Sequence, residues 1–356
     1  MLLPSTVYIH NLDPIALSIP LGFTTVLIRW YALSYITGFF LGYLIIRWMA
    51  QRGRSQLTVL QASDFVFQVA LGTIVGGRLG YCLFYAPELF LDFSGQLPFW
   101  GPLAIHKGGM ASHGGIVGIV VSCLLYARRF NISSWHLMDL TTLGGAAGVF
   151  FGRIANFING ELVGRPVQSS VPWAVKFPQD ILLWPSYEPA RLPALGPIVQ
   201  QIGVQPEQWQ NLVRRAYADQ GAFNSLGQIL DKLLLRIQHG DSALSQALAP
   251  LLDARHPSQI YEALLEGLLV FVVLALIWRR PRKAGVITGC FFCIYAVVRI
   301  IGEQFRMPDA HIGLQLFDLT RGQWLSLAML LLGLALLRYT TRRDAPRLGG
   351  WGAAGA

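Results

Sequence analysis

Apolar residues fill this chain in long blocks divided by short polar ones. Seven blocks stand out, at about residues 20–46, 60–86, 112–128, 136–158, 257–278, 284–305 and 322–340. Each is about 17–27 residues long, enough at 1.5 Å per residue to cross ~30 Å of hydrocarbon. The third is the shortest. It follows a stretch broken by proline and glycine, Pro98 to Gly109, that is able to re-enter the membrane beside it. The pattern predicts an all-α membrane protein of seven transmembrane helices.

Basic residues near the block ends set the orientation. Arg47, Arg52 and Arg54 follow the first block, and Arg128 and Arg129 the third. Arg279, Arg280, Arg282 and Lys283 join the fifth to the sixth, and Arg338, Arg342, Arg343 and Arg347 follow the seventh. With seven spans these clusters all fall on one side, the cytoplasm. The amino terminus is then extracytoplasmic, and so is a head between spans four and five. The predicted organisation is spans one to four in 1–158, the head segment with a long insert in 159–256, spans five to seven in 257–343, and a flexible cytoplasmic tail in 344–356. The first basic residue is Arg29, so the first block has no charged leader ahead of it and is read as a retained helix.

Within the head, Val171 to Phe177 is bounded by prolines and β-like. From Pro206 to Leu252, the apolar positions Trp209, Leu212, Val213 and Ala216, then Leu226, Leu230, Leu233, Leu234 and Ile237, recur at helical spacing. They predict amphipathic helices lying on the membrane or on the bundle.

Composition agrees with the membrane class. The chain is 53% hydrophobic and only 13% charged, against about 25% charged in a soluble domain. Its net charge of +9 sits in the clusters between apolar blocks, which signals orientation and argues against nucleic acid as a partner. The four cysteines, Cys82, Cys123, Cys290 and Cys293, all lie inside apolar blocks. Cys290-x-x-Cys293 reads there as small helix-packing residues, and neither a metal site nor a cofactor follows from it.

Polar residues inside hydrocarbon are costly, about 2.5–3.5 kcal/mol for a mid-helix Arg or Asp even on lenient scales, and usually meet a partner or a wet cavity. Arg29, Asp64, Arg78, His113, Asp139, Arg153, Glu262, Glu266, Arg299 and Glu303 are of this kind. Arg29 and Asp64 are placed to snorkel to an interface. Arg78 lies within the G-x-x-x-G of Gly76 and Gly80, where a structural role is open to it.

The densest cluster runs from Gly152 to Gly164, where Arg153, Asn156 and Gly160 share a helix face. A guanidinium fork suits a phosphate, and carboxamides suit headgroup hydroxyls. The alternative is an interhelical hydrogen-bond network. A second stripe, Tyr295, Arg299, Glu303 and Arg306, follows one face of the sixth span, with Arg299 and Glu303 spaced to pair. Third, His113 stands between the pairs Gly108-Gly109 and Gly114-Gly115 at the start of the third span. With an ordinary pKa near 6.5 it is able to accept a proton, and either a ligand contact or a structural role fits it.

Taken as a set, these motifs resemble the prolipoprotein diacylglyceryl transferase family. The run G-R-x-A-N-F-x-N-x-E-x-x-G at Gly152–Gly164 is similar to the family signature at every defined position. Trp30-Tyr31, His113-Gly114-Gly115, Val171 to Pro178, His256-Pro257-Ser258-Gln259 with Tyr261-Glu262, and Tyr295 through Pro308-Asp309 also match in family order. The head insert of about 182–252 departs from the resemblance by its length, and no site residue falls in it.

The resemblance implies a seven-span fold and a reaction at the bacterial inner membrane. The diacylglyceryl group of phosphatidylglycerol passes to the lipobox cysteine of a prolipoprotein, giving a thioether and glycerol phosphate. The partners so implied are the lipid, the prolipoprotein signal-peptide region and the bilayer. It makes His113 the candidate general base and puts Arg153 and Arg299 on the phosphate. Asn156, Asn159, Tyr31 and Tyr295 orient headgroup and carbonyl oxygens, Glu303 holds Arg299, and Arg306 and Gly164 complete the substrate-binding set. Two rivals fit less well. A lipid transporter predicts paired inverted repeats, and none is visible. A serine peptidase needs a serine–histidine arrangement beyond the adjacency of Ser112 and His113.

Overall fold

The computed structural model describes residues 7–20, 22, 25–95, 97–168, 171–308 and 315–351. Asp309, the end of the sixth-span motif, and residues 352–356 of the expected tail lie outside them. The described chain is mostly helical. Seven helices correspond to the seven apolar blocks: α1 Trp30–Gln51, α2 Val59–Phe84, α3 Ser112–Phe130, α4 Ser134–Asn159, α5 Ser258–Ile277, α6 Val286–Gly302 and α7 Arg321–Arg342. By length and composition, four of them among the described residues are able to cross a membrane: α1, α2, α5 and α7. Helix α6 is apolar but shorter.

The first span begins ten residues later than its apolar block suggests. Strands β2 (Ile15–Pro20) and β3 (Thr25–Arg29) form an antiparallel hairpin where the block predicts the first turns of a helix. Pro20 has no N–H to continue a helix, Gly22 turns at φ +83°, and the flanking residues are rich in β-branched side chains. Helix α1 therefore starts at Trp30. The all-α expectation is corrected accordingly, because short strands join the helices.

The chain divides into two compact units. One comprises Met1–Tyr35, Phe150–Gly267 and Val297–Ser326; the other comprises Ile36–Val149, Leu268–Ala296 and Leu327–Ala356. In the first unit, β1 (Tyr8–Ile9) pairs in parallel with β4 (Val175–Lys176), which pairs antiparallel with β5 (Ala254–Arg255). This small sheet ties the start of the chain to both ends of the head.

The head insert differs from its expected arrangement. Helices Pro206–Arg215, Gln220–Gln238 and Ser242–Leu248 form where the periodicity puts them. Their apolar faces close on one another and on Ile181, Trp184, Leu192, Leu195, Ile198 and Val199. Amphipathicity fixes which face is buried but not what buries it, and here the cover is the segment 181–202 of the head itself. The Trp209 ring is fully buried, and its Nε1 donates to the Leu192 carbonyl at 3.1 Å.

In the second unit, the tail expected to be flexible is partly structured. Strand β7 (Arg347–Leu348) pairs with β6 (Arg282–Lys283). Trp278 Nε1 donates to the Leu348 carbonyl at 3.1 Å, and Arg54 donates to the Gly350 carbonyl at 2.6 Å.

Candidate functional site: a carboxylate-backed arginine cluster

The first unit gathers the C-terminal turns of α4, the N-terminal turns of α5 and the C-terminal end of α6. Gly267 permits the approach of α5 to α4, since a Cβ there would lie 2.5 Å from the Phe150 Cα. Glu262 and Glu266, one turn apart on α5, then face α4. The intervening backbone is π-helical from Ala263 to Leu269, a local widening often seen at functional sites.

These two carboxylates join the arginines of both sequence clusters. Arg153 reaches Glu262 at 2.9 Å and Glu266 at 2.8 Å. Arg299 reaches Glu262 at 3.0 Å, Glu266 at 2.8 Å and Glu303 at 2.6 Å. Arg306 lies 3.5 Å from Glu262. Three guanidiniums thus face three carboxylates, and their formal charges cancel. Accessibility does not cancel. The side chains of Arg153 and Arg299 keep 15% and 14% of their surface, whereas those of Glu262 and Glu266 keep none. The surface that this network leaves accessible belongs to the arginine side chains, and the buried acids fix the direction of their guanidiniums.

The signature segment after α4 is held just as closely. Helix α4 ends in a Schellman turn: Gly160 adopts φ +67°, its N–H donates to Phe157, and the Glu161 N–H donates to Asn156. The Asn156 carboxamide then donates to Glu161 at 2.6 Å and to the Tyr31 hydroxyl at 3.4 Å. Each following carbonyl is captured. Gln259 takes Glu161 at 2.7 Å, Ser258 takes Leu162 at 3.0 Å, the Met307 N–H takes Val163 at 3.1 Å, and Arg255 takes Gly164 at 3.3 Å. At Gly164 a Cβ would stand 2.2 Å from the His256 carbonyl, so no side chain fits without moving the backbone. The H-P-S-Q run is therefore a clamp on the signature loop.

Arg255 also meets Asp180, where the head insert begins, at 2.5 Å. Burial pushes the Asp180 carboxyl above the usual carboxylate range, although the Arg255 guanidinium opposes it. His10 is fully buried between Phe157 and Phe177, with Gln179 Nε2 at 3.1 Å from its Nδ1. Burial pushes its pKa down to about 4, so the ring is neutral near pH 7.

The structure thus brings together Tyr31, Arg153, Asn156, Gly164, Arg299, Glu303 and Arg306. Asn159 belongs to the same unit but not to the network. Its Oδ1 is buried without a hydrogen-bond partner among the described residues, and its carbonyl accepts from Gln179 at 3.4 Å. His113, exposed in the first turn of α3, and Tyr295, whose ring stacks on Phe291 at 5.4 Å, belong to the other unit. Sequence reasoning singled out Glu262 and Glu266 as polar residues inside hydrocarbon and Glu161 and Gln259 as motif members without placing any of them in the site, and it passed over Arg255. The spacing of Glu262 and Glu266, i and i+4 in an otherwise apolar helix, was the available signal.

Known proteins resemble this chain over most of its length. The family model described as prolipoprotein diacylglyceryl transferase matches residues 14–339. The chain belongs to that family. It is 54% identical to the phosphatidylglycerol–prolipoprotein diacylglyceryl transferase of Bdellovibrio bacteriovorus over 343 residues, covering 96% of this chain and 97% of that one. Proteins of the same name from Nitrobacter winogradskyi and Rhodospirillum centenum are 34% and 36% identical, covering 91% and 92% of this chain and 87% and 91% of theirs.

Proposed function

We infer that this chain transfers the diacylglyceryl group of phosphatidylglycerol to the lipobox cysteine of a prolipoprotein, the first step of lipoprotein modification. Family membership supports the reaction. The observation that carries its mechanism is the pair of partly accessible arginines, Arg153 and Arg299, held by buried glutamates.

The thiol sulfur bonds to the glyceryl carbon, the carbon–oxygen bond to phosphate breaks, and glycerol phosphate leaves with the electron pair. Negative charge grows on the leaving phosphate. Donors already oriented toward it stabilise that charge without reorganising, and one such donor is typically worth about 10²–10³ in rate. Glu262, Glu266 and Glu303 supply that orientation. Asn156, set by Glu161, and Tyr31 supply hydrogen bonds for headgroup oxygens. Arg306, Asn159, Tyr295 and Gly164 complete the substrate-binding set. A thiol with a pKa near 8.5 is only slightly ionised at neutral pH, and His113 takes its proton.

The chain is an integral membrane protein, and we place it in the bacterial inner membrane with seven spans and an extracytoplasmic amino terminus. Reporter fusions after Arg54, Arg129, Arg282 and Arg343 are expected to report cytoplasm, and one near Pro166 the opposite side. An inversion at any of these would break the seven-span count.

The function itself is tested with purified protein, labelled phosphatidylglycerol and a lipobox peptide. Thioether-linked peptide and free glycerol phosphate are the expected products. Lipid movement without a thioether, or peptide cleavage, would overturn the reading.

A further inference from the structure

We propose that Arg78 is a positioning residue for His113, setting the turn from which that histidine projects. The proposal rests on the reading of His113 as a group the reaction uses. It begins from an arginine buried to 5% exposure in α2. Its guanidinium donates to four backbone carbonyls of one irregular segment: Nε to Pro102 at 2.8 Å, one terminal nitrogen to Gly101 at 2.8 Å, and the other to Gly108 at 2.5 Å and Gly109 at 3.0 Å. An arginine that only needed to neutralise its burial would be satisfied by one carboxylate. This one collects carbonyls of a tight loop between two helices, of which that of Gly101 also accepts the Ala104 N–H at 3.0 Å.

The loop ends at His113. Gly108 and Gly109 both adopt left-handed φ, +84° and +81°, which turns their carbonyls toward Arg78. Two residues on, the Ala111 N–H donates to the Gly77 carbonyl at 2.9 Å, on the residue before Arg78. Helix α3 starts at Ser112, and Gly114 lies directly against α2, where a Cβ would fall 2.3 Å from the Gly76 carbonyl. The residues on either side of His113 are therefore fixed to the turn of α2 that carries Arg78. The α3 N-cap, Ala111, offers no side-chain cap of its own. Arg78 takes over the task of setting how the first turn of α3 enters, and with it the direction of the His113 ring.

The fork geometry makes the test selective. Lysine keeps the charge but presents a point donor that cannot span four carbonyls. The experiment measures kcat, KM for phosphatidylglycerol and thermal unfolding in detergent for Arg78→Lys, His113→Gln and the double variant. Arg78→Lys is expected to lower kcat about 10- to 100-fold, the size of effect a misplaced reacting group produces, with KM close to wild type and an unfolding temperature that falls because buried carbonyls lose their donor. In the His113→Gln background the same change should cost less than about twofold, since positioning an absent group has no value. Equal losses in both backgrounds, or a wild-type kcat for Arg78→Lys, would overturn the proposal. Full activity of His113→Gln would overturn the underlying reading, and this inference with it. If Arg78→Lys does not fold, Gly109→Ala disturbs the same turn with Arg78 intact and enters the same cycle, with the same outcomes decisive.

Discussion

Two groups of buried arginines in this chain are held in opposite ways. Arg153 and Arg299 in the first unit are held by ionised side chains and keep part of their surface accessible. Arg78 in the second is held by backbone carbonyls and is almost fully enclosed. Carbonyls belong to the fold and cannot be exchanged without remaking the loop, so Arg78 acts as scaffolding. Glutamate counter-ions balance the charge of Arg153 and Arg299 while part of each side chain stays accessible, which suits an arginine that must meet an anionic ligand. What holds an arginine, and how much of it remains reachable, separates the two roles more sharply than its presence in an apolar helix.

The comparison breaks most visibly at Arg153. Replacement by alanine is expected to reduce transfer by at least about 10²–10³-fold while the protein still inserts. Arg153→Lys should recover little of it, because the guanidinium engages Glu262 and Glu266 through three nitrogens in a fixed plane, which a single ammonium nitrogen does not reproduce. Near-normal transfer by the lysine variant would reduce Arg153 to a simple countercharge.

A smaller effect on rate, but a large one on stability, is expected for Glu266→Gln. Glu266 pairs with both arginines and has no exposed surface. Removing one partner from such a buried network typically costs about 3–5 kcal/mol. A markedly lower unfolding temperature in detergent is the expected result. An unchanged temperature would mean that the carboxylates orient the arginines without stabilising the unit.

His10 sharpens the comparison from a third side, because a histidine, unlike an arginine, can be buried by losing its charge. Its native pKa is lowered from 6.5 to about 4, so between those values the unfolded chain binds the extra proton and the folded one does not. Stability is then complete above about pH 6.5 and falls as the pH drops toward 4, by up to about 3 kcal/mol. The unfolding temperature of His10→Gln should fall less steeply than wild type over that interval. Parallel curves would show that His10 does not titrate there.

Much of this was legible in advance, for identifiable reasons. Long apolar blocks locate helices α2 to α7 because nothing else accommodates them. The start of α1 was misplaced because the strand run Val26, Leu27 and Ile28 is as apolar, residue for residue, as a helical turn. The pairing of Arg299 with Glu303 could be read from i, i+4 spacing. That of Arg153 with Glu262 and Glu266 could not, since it links residues more than one hundred positions apart and depends on how closely α5 approaches α4. His113 and Tyr295 show the converse limit: a motif names its members without saying which compact unit each will join. The head was misjudged for a related reason. Its helices carry the predicted apolar stripes, but their cover comes from Ile181, Trp184 and Leu192, residues with no periodic pattern of their own.

The strand pairing near the carboxyl end bears on biosynthesis. Trp278 is 1% exposed, with Leu348, Gly349 and Trp351 packed against it, and β6 pairs with β7. During translation the segment around Trp278 emerges well before residues 347–351 are made. Helices α6 and α7 are made in the meantime, with that part of the tryptophan's cover still missing. The second unit is therefore completed only after residues 347–351 are made, and a chain interrupted between 286 and 346 would lack the cover that Leu348, Gly349 and Trp351 give the Trp278 indole.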